Sequence, residues 1–166
     1  PHRRVPADRG GEGRRPNRRR PGRTAGGTGG VMSGVVKGEG WAVSSLDDLG
    51  EGWGFRKVRK ELGVEAFGAN IIVMPPGYES GRHLHEVQEE LYFVHQGRLE
   101  IELDGEKHQL GPGGVAWVDA PVVRGFKNLS DDEDAIYFVV GGKGGYVGRD
   151  GKLPPGETDP RGPIKE

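Results

Sequence analysis

Apolar and polar positions along this chain alternate in short runs broken by turn signals, the pattern of antiparallel strands rather than helices. Arg98-Leu-Glu-Ile-Glu-Leu-Asp104 alternates strictly, and Asp104-Gly105 is a dipeptide preferred in a two-residue hairpin turn. That turn predicts pairing of Leu103 with Glu106, Ile101 with His108 and Leu99 with Leu110, so that these residues share one face. Phe55 to Leu62 and Val64 to Met74 read as strands, the second interrupted at Gly68 and closed by Pro75-Pro76-Gly77. A strand through His83 and His85 follows, then Glu90 to His95, Val115 to Val118, and Ala135 to Val140. In Glu90 to His95, alternation sends Glu90, Tyr92 and Val94 to one side and Leu91, Phe93 and His95 to the other. His95 is thereby kept away from whatever Glu90 faces. No helix of consequence and no internal repeat is expected.

Such strands leave an apolar face to cover, and a closed barrel or double sheet covers it without open edges. The expected fold is all-β, a single domain over residues 54–141. A lead segment spans 32–53, and a mostly irregular Gly/Pro-rich tail spans 142–166, where Tyr146-Val147 is a candidate edge pairing. The chain's 166 residues include 32 glycines and 12 prolines, too many for a helical protein.

The net charge of −1 hides a segregation. Residues 1–30 carry nine arginines against Asp8 and Glu12, a balance of +7, while residues 31–166 balance at −8. The basic stretch has almost nothing apolar to fold or stack with, so residues 1–31 read as a disordered Arg/Gly-rich tail, and nucleic acid is not an expected partner. The change of character at Val31-Met32 suggests Met32 as the natural start, with the residues before it as upstream translated sequence. With no cysteine, disulfides, thiolate metal sites and a cysteine nucleophile are excluded. No apolar run reaches the roughly 18 residues that cross a bilayer, so no membrane partner and a cytoplasmic location are expected.

The candidate chemistry lies in one stretch. His83 and His85, two apart on an extended segment, point to one face about 7 Å apart along the strand. Glu90 opens the next apolar run and folds back beside them. Two neutral imidazoles and a carboxylate, with open positions left over, suit iron(II) and accept manganese, nickel, copper or zinc. Glu89 is the rival carboxylate but faces the opposite side, as a solvated charge; Gln88 is a weaker alternative ligand. His108 is read as packed opposite Ile101, without a role. Trp117 alternates with Val115 and is read as core or pocket wall, and Tyr92 shares the side of Glu90; both are candidate ligand contacts. Gly141-Gly-Lys-Gly-Gly145 lacks the form of a phosphate loop.

The spacing Gly77, His83, His85, Glu90, Gly97 matches Gly-x5-His-x-His-x4-Glu-x6-Gly. It resembles the first motif of the cupin family. The segment from Leu110 through Pro112, Phe126 and Asn128 looks like a looser version of the family's second motif, with Arg124 at the position where that motif supplies a third histidine. Small single-domain bacterial cupins of unassigned activity are similar, including a run like Gln88-Glu89-Glu90 and an arginine in place of the last histidine. The resemblance implies a cupin-type jelly-roll β-barrel with its motif residues inward, a homodimer, and metal-dependent chemistry of the oxygenation, isomerisation or decarboxylation kind.

Arg124 divides the readings. About 5 Å from a divalent ion, its guanidinium would repel the ion by roughly 7 kcal/mol at an effective dielectric of about 20, whereas beside ionised Glu90 it would gain about 3 kcal/mol before desolvation. The expectations are therefore two. In one, His83, His85 and Glu90 hold a divalent metal while Arg124, turned aside, binds a small anionic molecule. In the other, Arg124 pairs with Glu90 in a metal-free ligand-binding or regulatory module.

Overall fold

The computed structural model describes residues 34–158, and the expected N-terminal tail at 1–31 lies outside them. A hairpin of β1 (Val36–Gly38) and β2 (Trp41–Val43) comes first, followed by a 3-10 turn at Asp47–Leu49. A sheet of five strands then forms in the order β3 (Gly54–Arg56), β4 (Gly68–Met74), β11 (Ala135–Gly142), β6 (Glu89–Gln96) and β9 (Val115–Val118). A second sheet orders β10 (Arg124–Asn128), β7 (Leu99–Leu103) and β8 (Glu106–Leu110), and β5 (Leu84–His85) pairs with β12 (Gly151–Lys152). All pairings are antiparallel.

One core joins the two larger sheets. Ile72, Met74, Tyr92, Val94, Val118, Ala135, Tyr137 and Val139 from the five-stranded sheet pack with Leu99, Ile101 and Phe126 from the other. The alternation expected in β6 holds: Tyr92 and Val94 are buried while Leu91, Phe93 and His95 are exposed. The β7–β8 register also holds, with Leu103 opposite Glu106 and Leu99 opposite Leu110. Asp104 and Gly105 carry φ angles of 48° and 91°, the two positive values that a type I′ turn requires.

Three expectations are corrected, and one strand went unread. Phe55 to Leu62 is not one strand, because β3 ends at Arg56 and a one-turn helix α1 (Val58–Leu62) follows. Its residues after Val58 are strong helix formers, and Gly63 ends it in the left-handed conformation at φ 78°, its N–H bonding the Arg59 carbonyl. Strand β4 begins at Gly68 rather than Val64. His108 lies opposite Ile101 but is exposed, as is every residue of the edge strand β8 except Leu110. Arg124–Asn128 is a strand that the apolar pattern did not reveal: the inward positions are Arg124, Phe126 and Asn128, and two of the three are polar.

Residues 143–158 are irregular apart from β12, yet they are tied into the molecule. Tyr146 lies under the Arg59 guanidinium at 3.7 Å, and Gly151 and Lys152 pair with His85 and Leu84. Tyr146-Val147 itself joins no strand. Among the described residues no helix is long and apolar enough to cross a membrane.

Candidate functional site

Three strands carry the site. His83 exchanges backbone hydrogen bonds with Arg124, N to O at 2.9 Å and 2.8 Å, which seats the two residues side by side. His85 follows on β5, its N–H bonding the Ala120 carbonyl at 2.9 Å. After a turn, β6 brings Glu90 back opposite Val118 and Gly141. The result is that one nitrogen of each imidazole and one Glu90 oxygen all lie within 4.8 Å of one another. The rings of His83 and His85 meet edge to face with centroids 5.4 Å apart, closer than their positions along an ideal strand imply.

His85 is held from both ends. Its Nε2 lies 3.1 Å from Glu90 Oε2, while its Nδ1 lies 3.4 Å from Asp150 Oδ2 and 3.1 Å from Gln88 Nε2. Asp150 is itself fixed, accepting the backbone N–H groups of Gln88 at 2.8 Å and Val87 at 3.1 Å. Burial pushes its carboxyl up, but those N–H groups outweigh it and the net shift is down. The Gln88 Oε1 is buried without a partner; exchanging the amide's O and N would let it accept from Nδ1–H.

Glu90 Oε2 is the hub. Besides His85 Nε2 it accepts the Tyr92 hydroxyl and Arg124 Nη2, the latter at 3.2 Å. Burial pushes the Glu90 carboxyl up, yet the hydrogen bond and charge of His85, the Tyr92 hydroxyl and Arg124 prevail, leaving it lowered. Burial, then the Glu90 charge, raise the Tyr92 phenol well above its ordinary range. His83 is pushed down to about 4, first by burial and then by Arg124 and His85 against the opposing pull of Glu90. It is therefore neutral at pH 7, and its Nδ1 is buried without a partner.

The His85–Glu90 pair has the spacing of two ligands on one ion. Two ligands each about 2.1 Å from one ion stand roughly 3 to 3.4 Å apart at octahedral or tetrahedral angles, and His85 Nε2 and Glu90 Oε2 are 3.1 Å apart. The Asp150 carboxylate behind His85 completes the carboxylate–histidine arrangement that orients metal-ligating imidazoles.

Arg124 pairs with Glu90 and is not placed as an anion receptor in the cavity. It is 0% exposed. Its Nη1 donates to the carbonyls of Ala120 at 2.9 Å and Val122 at 2.7 Å, Nε reaches the Tyr92 hydroxyl at 3.4 Å, and Nη2 holds Glu90. The guanidinium thus lies behind Glu90 and lines no part of the cavity. Trp117 is likewise on the outside, 61% exposed, with Nε1 donating to Glu89 at 2.7 Å. This corrects its reading as core or pocket wall: β9 is an edge strand, and Trp117 lies opposite the outward-facing Leu91. Glu89, as expected, faces away from the histidines.

A cavity of about 480 Å³ opens over the cluster, lined by His83, His85, Glu90 and Tyr92 together with Phe126 and Tyr137. Its far rim is formed by Tyr146, Val147, Arg149 and Gly151 to Leu153. Neither Asp150 nor this rim was anticipated, because both come from a segment whose composition reads as tail. The only trace in the sequence is that Tyr146-Val147 and Leu153 interrupt an otherwise polar stretch.

Comparison with known proteins agrees with this architecture. Residues 70–141 match the family model of the cupin domain. It is similar to "Polyketide synthase CurC" of Streptomyces cyaneus, 32% identical over 68 residues that cover 41% of this chain and 44% of that protein. It is similar also to "Protein SchB" of Streptomyces halstedii, 31% identical over 71 residues, or 43% and 51% of the two chains. The chain spans about half the length of these curated relatives. Among solved structures, a sugar phosphate isomerase of the cupin superfamily from Silicibacter pomeroyi DSS-3 superposes with a TM-score of 0.50 at 32% identity, covering 54% of this chain and 58% of that one.

Proposed function

We propose that His83, His85 and Glu90 hold one divalent transition-metal ion, of the iron, manganese, nickel, copper or zinc group, and that the chain acts there on a small anionic organic molecule. The observation that carries the reading is the convergence of three donor atoms within 4.8 Å at the base of the cavity. Bound there, such an ion supplies a Lewis acid for a substrate oxygen and stabilises negative charge developing on it, as oxygenase or isomerase chemistry requires. The protein's own part is to keep His83 neutral, to orient His85 through Asp150, and to balance the Glu90 charge with Arg124. The solved relative described as a sugar phosphate isomerase acts on a small anion, which supports the substrate class. The reading carries with it a jelly-roll barrel and a homodimer, the latter readable by light scattering.

A second reading has its own support. With Arg124 Nη2 at 3.2 Å from Glu90 Oε2, the pair is internally neutral and the chain is a metal-free ligand-binding module. Elemental analysis of the full chain beside His83→Ala and Arg124→His separates the two. Near one ion per chain, lost in His83→Ala, supports the metal reading. No ion in the parent but one per chain in Arg124→His would sink it in favour of the second.

A further inference from the structure

The cavity has a second chemical character at its mouth. Apart from Glu90, every charged side chain lining it is a cation: Arg82, Arg149 and Lys152. Glu90 already has the Arg124 guanidinium against it, so an incoming anion meets no uncompensated carboxylate on the cavity wall.

The three cations are not equivalent. Arg82 is engaged by Glu102 at 3.0 Å and Glu157 at 2.6 Å, and Lys152 by Glu86 at 3.4 Å. Arg149 has no hydrogen bond or ion pair with any described residue. Its backbone lies in the left-handed region at φ 57°, which among the described residues only one other non-glycine residue adopts, Asp104 in the hairpin turn. For a residue with a Cβ that conformation costs about 1–2 kcal/mol, and Gly148 next to it would adopt it without cost. The turn at Gly148 and Arg149 nonetheless sends Asp150 inward to His85 and leaves the Arg149 side chain at the rim. An unpaired cation on a strained turn at a cavity mouth is the kind of outlier that marks a ligand contact.

The wall away from this rim is apolar, with Phe55, Ile72, Phe126, Tyr137 and Val139. Phe126 and Tyr137 are stacked, 5.1 Å between centroids at 21°. A volume of about 480 Å³ is in the range of cavities that enclose whole organic ligands rather than small inorganic ions.

We propose that the ligand of this cavity is an aromatic acid, with its ring system seated against Phe126 and Tyr137 and its acidic oxygens held at the mouth by Arg149. This rests on the proposed function in taking the cavity over His83, His85 and Glu90 as the substrate chamber, and it moves anion recognition from Arg124 to Arg149. Lys152 adds a second positive charge at the same rim.

The test uses 2-naphthoate as probe, with 2-naphthalenemethanol and acetate as comparators, titrated calorimetrically into the full chain, Arg149→Gly and Arg149→Lys. Arg149→Gly removes the cation while relieving the turn, so its folding is secure. Naphthoate is expected to bind about tenfold or more tighter than the neutral alcohol and than acetate. Arg149→Gly should lose that advantage over the alcohol without changing the alcohol's own affinity, and Arg149→Lys should recover part of it. Naphthoate binding no tighter than the alcohol, or unchanged in Arg149→Gly, overturns the proposal. Metal content of the same preparations keeps the two ideas apart. Arg149-dependent binding in protein that holds no ion upholds this inference and defeats the metal reading. One ion per chain with Arg149-independent binding does the reverse.

Discussion

Oδ2 of Asp150 lies 3.4 Å from Nδ1 of His85. The contact joins residues 65 positions apart, and it exists because β12 pairs Gly151 with His85. The carboxylate already accepts two backbone N–H groups, so it is rigid before it meets the imidazole. It fixes the ring from the Nδ1 side, so that Nε2 faces Glu90. Asp150→Ala should therefore weaken metal binding about 10- to 100-fold. It should also lower stability by about 1–3 kcal/mol, because the N–H groups of Val87 and Gln88 lose their acceptor. Competition titration with a metallochromic chelator reads the first effect and urea unfolding of metal-free protein the second. Asp150→Asn, which keeps an acceptor oxygen, should retain most of the stability.

Arg124 makes a stability prediction of the opposite kind, since its removal leaves charge behind rather than a cavity alone. Glu90 would be stranded in a largely buried position without its cation, and the Ala120 and Val122 carbonyls would lose their donor. Arg124→Met should cost about 3–5 kcal/mol. Adding Glu90→Gln should recover part of that loss, giving a favourable coupling in a double-mutant cycle. Simple additivity of the two substitutions in urea unfolding would mean that the pair is not the partner interaction described here.

What was legible in the sequence, and what was not, follows from how each residue is placed. His83, His85 and Glu90 were readable because their grouping is local: a two-residue spacing on an extended segment and one turn bring them together. The β7–β8 hairpin was readable for the same reason, its register set by Asp104-Gly105. Arg124 was visible as a residue in an unusual position, but the direction of a long side chain is a matter of which carbonyls surround it, and those of Ala120 and Val122 carry no sequence signature. Strand β10 was hidden because its inward face is polar, with Asn128 bonded to the carbonyls of Met74, Pro75 and Glu133. Asp150 and Arg149 were hidden because only a long-range strand pairing gives them meaning. Trp117 was misread because alternation fixes two faces of a strand without saying which one is inside.

The low pKa of His83 gives the metal-free protein a pH dependence. The ring titrates at about 4 in the folded chain against 6.5 ordinarily, so between these values the unfolded chain binds the proton that the folded one refuses. Stability is fully present above pH 6.5 and falls as the pH drops toward 4, by a total on the order of 3 kcal/mol. Glu90, lowered from 4.5, acts in the same sense at the acid end: its contribution is present above 4.5 and is lost as the pH falls through its folded value. Urea unfolding of chelator-treated protein at pH 7, 5.5 and 4.5 should show the decline, and His83→Gln should flatten it between pH 6.5 and 4.5. An equal slope in the variant would assign the dependence to other groups.

The two glycines that frame the histidine motif serve different ends. Both are left-handed, Gly77 at φ 67° and Gly97 at φ 78°. A Cβ on Gly77 meets nothing within 4 Å, whereas one on Gly97 would lie 2.6 Å from the Asp134 carbonyl oxygen and 2.8 Å from Ala135 Cα. Gly77→Ala should thus cost only the conformational strain, about 1 kcal/mol. Gly97→Ala must also displace the start of β11, whose next inward residue, Tyr137, stacks on Phe126 in the cavity wall. Its cost should reach about 3 kcal/mol or more. Because the displaced strand carries the cavity wall, Gly97→Ala should also weaken ligand binding, while Gly77→Ala, at a turn in open space, should leave it unchanged. Equal destabilisation of the two variants in urea would show that strain alone governs both positions and that β11 yields freely.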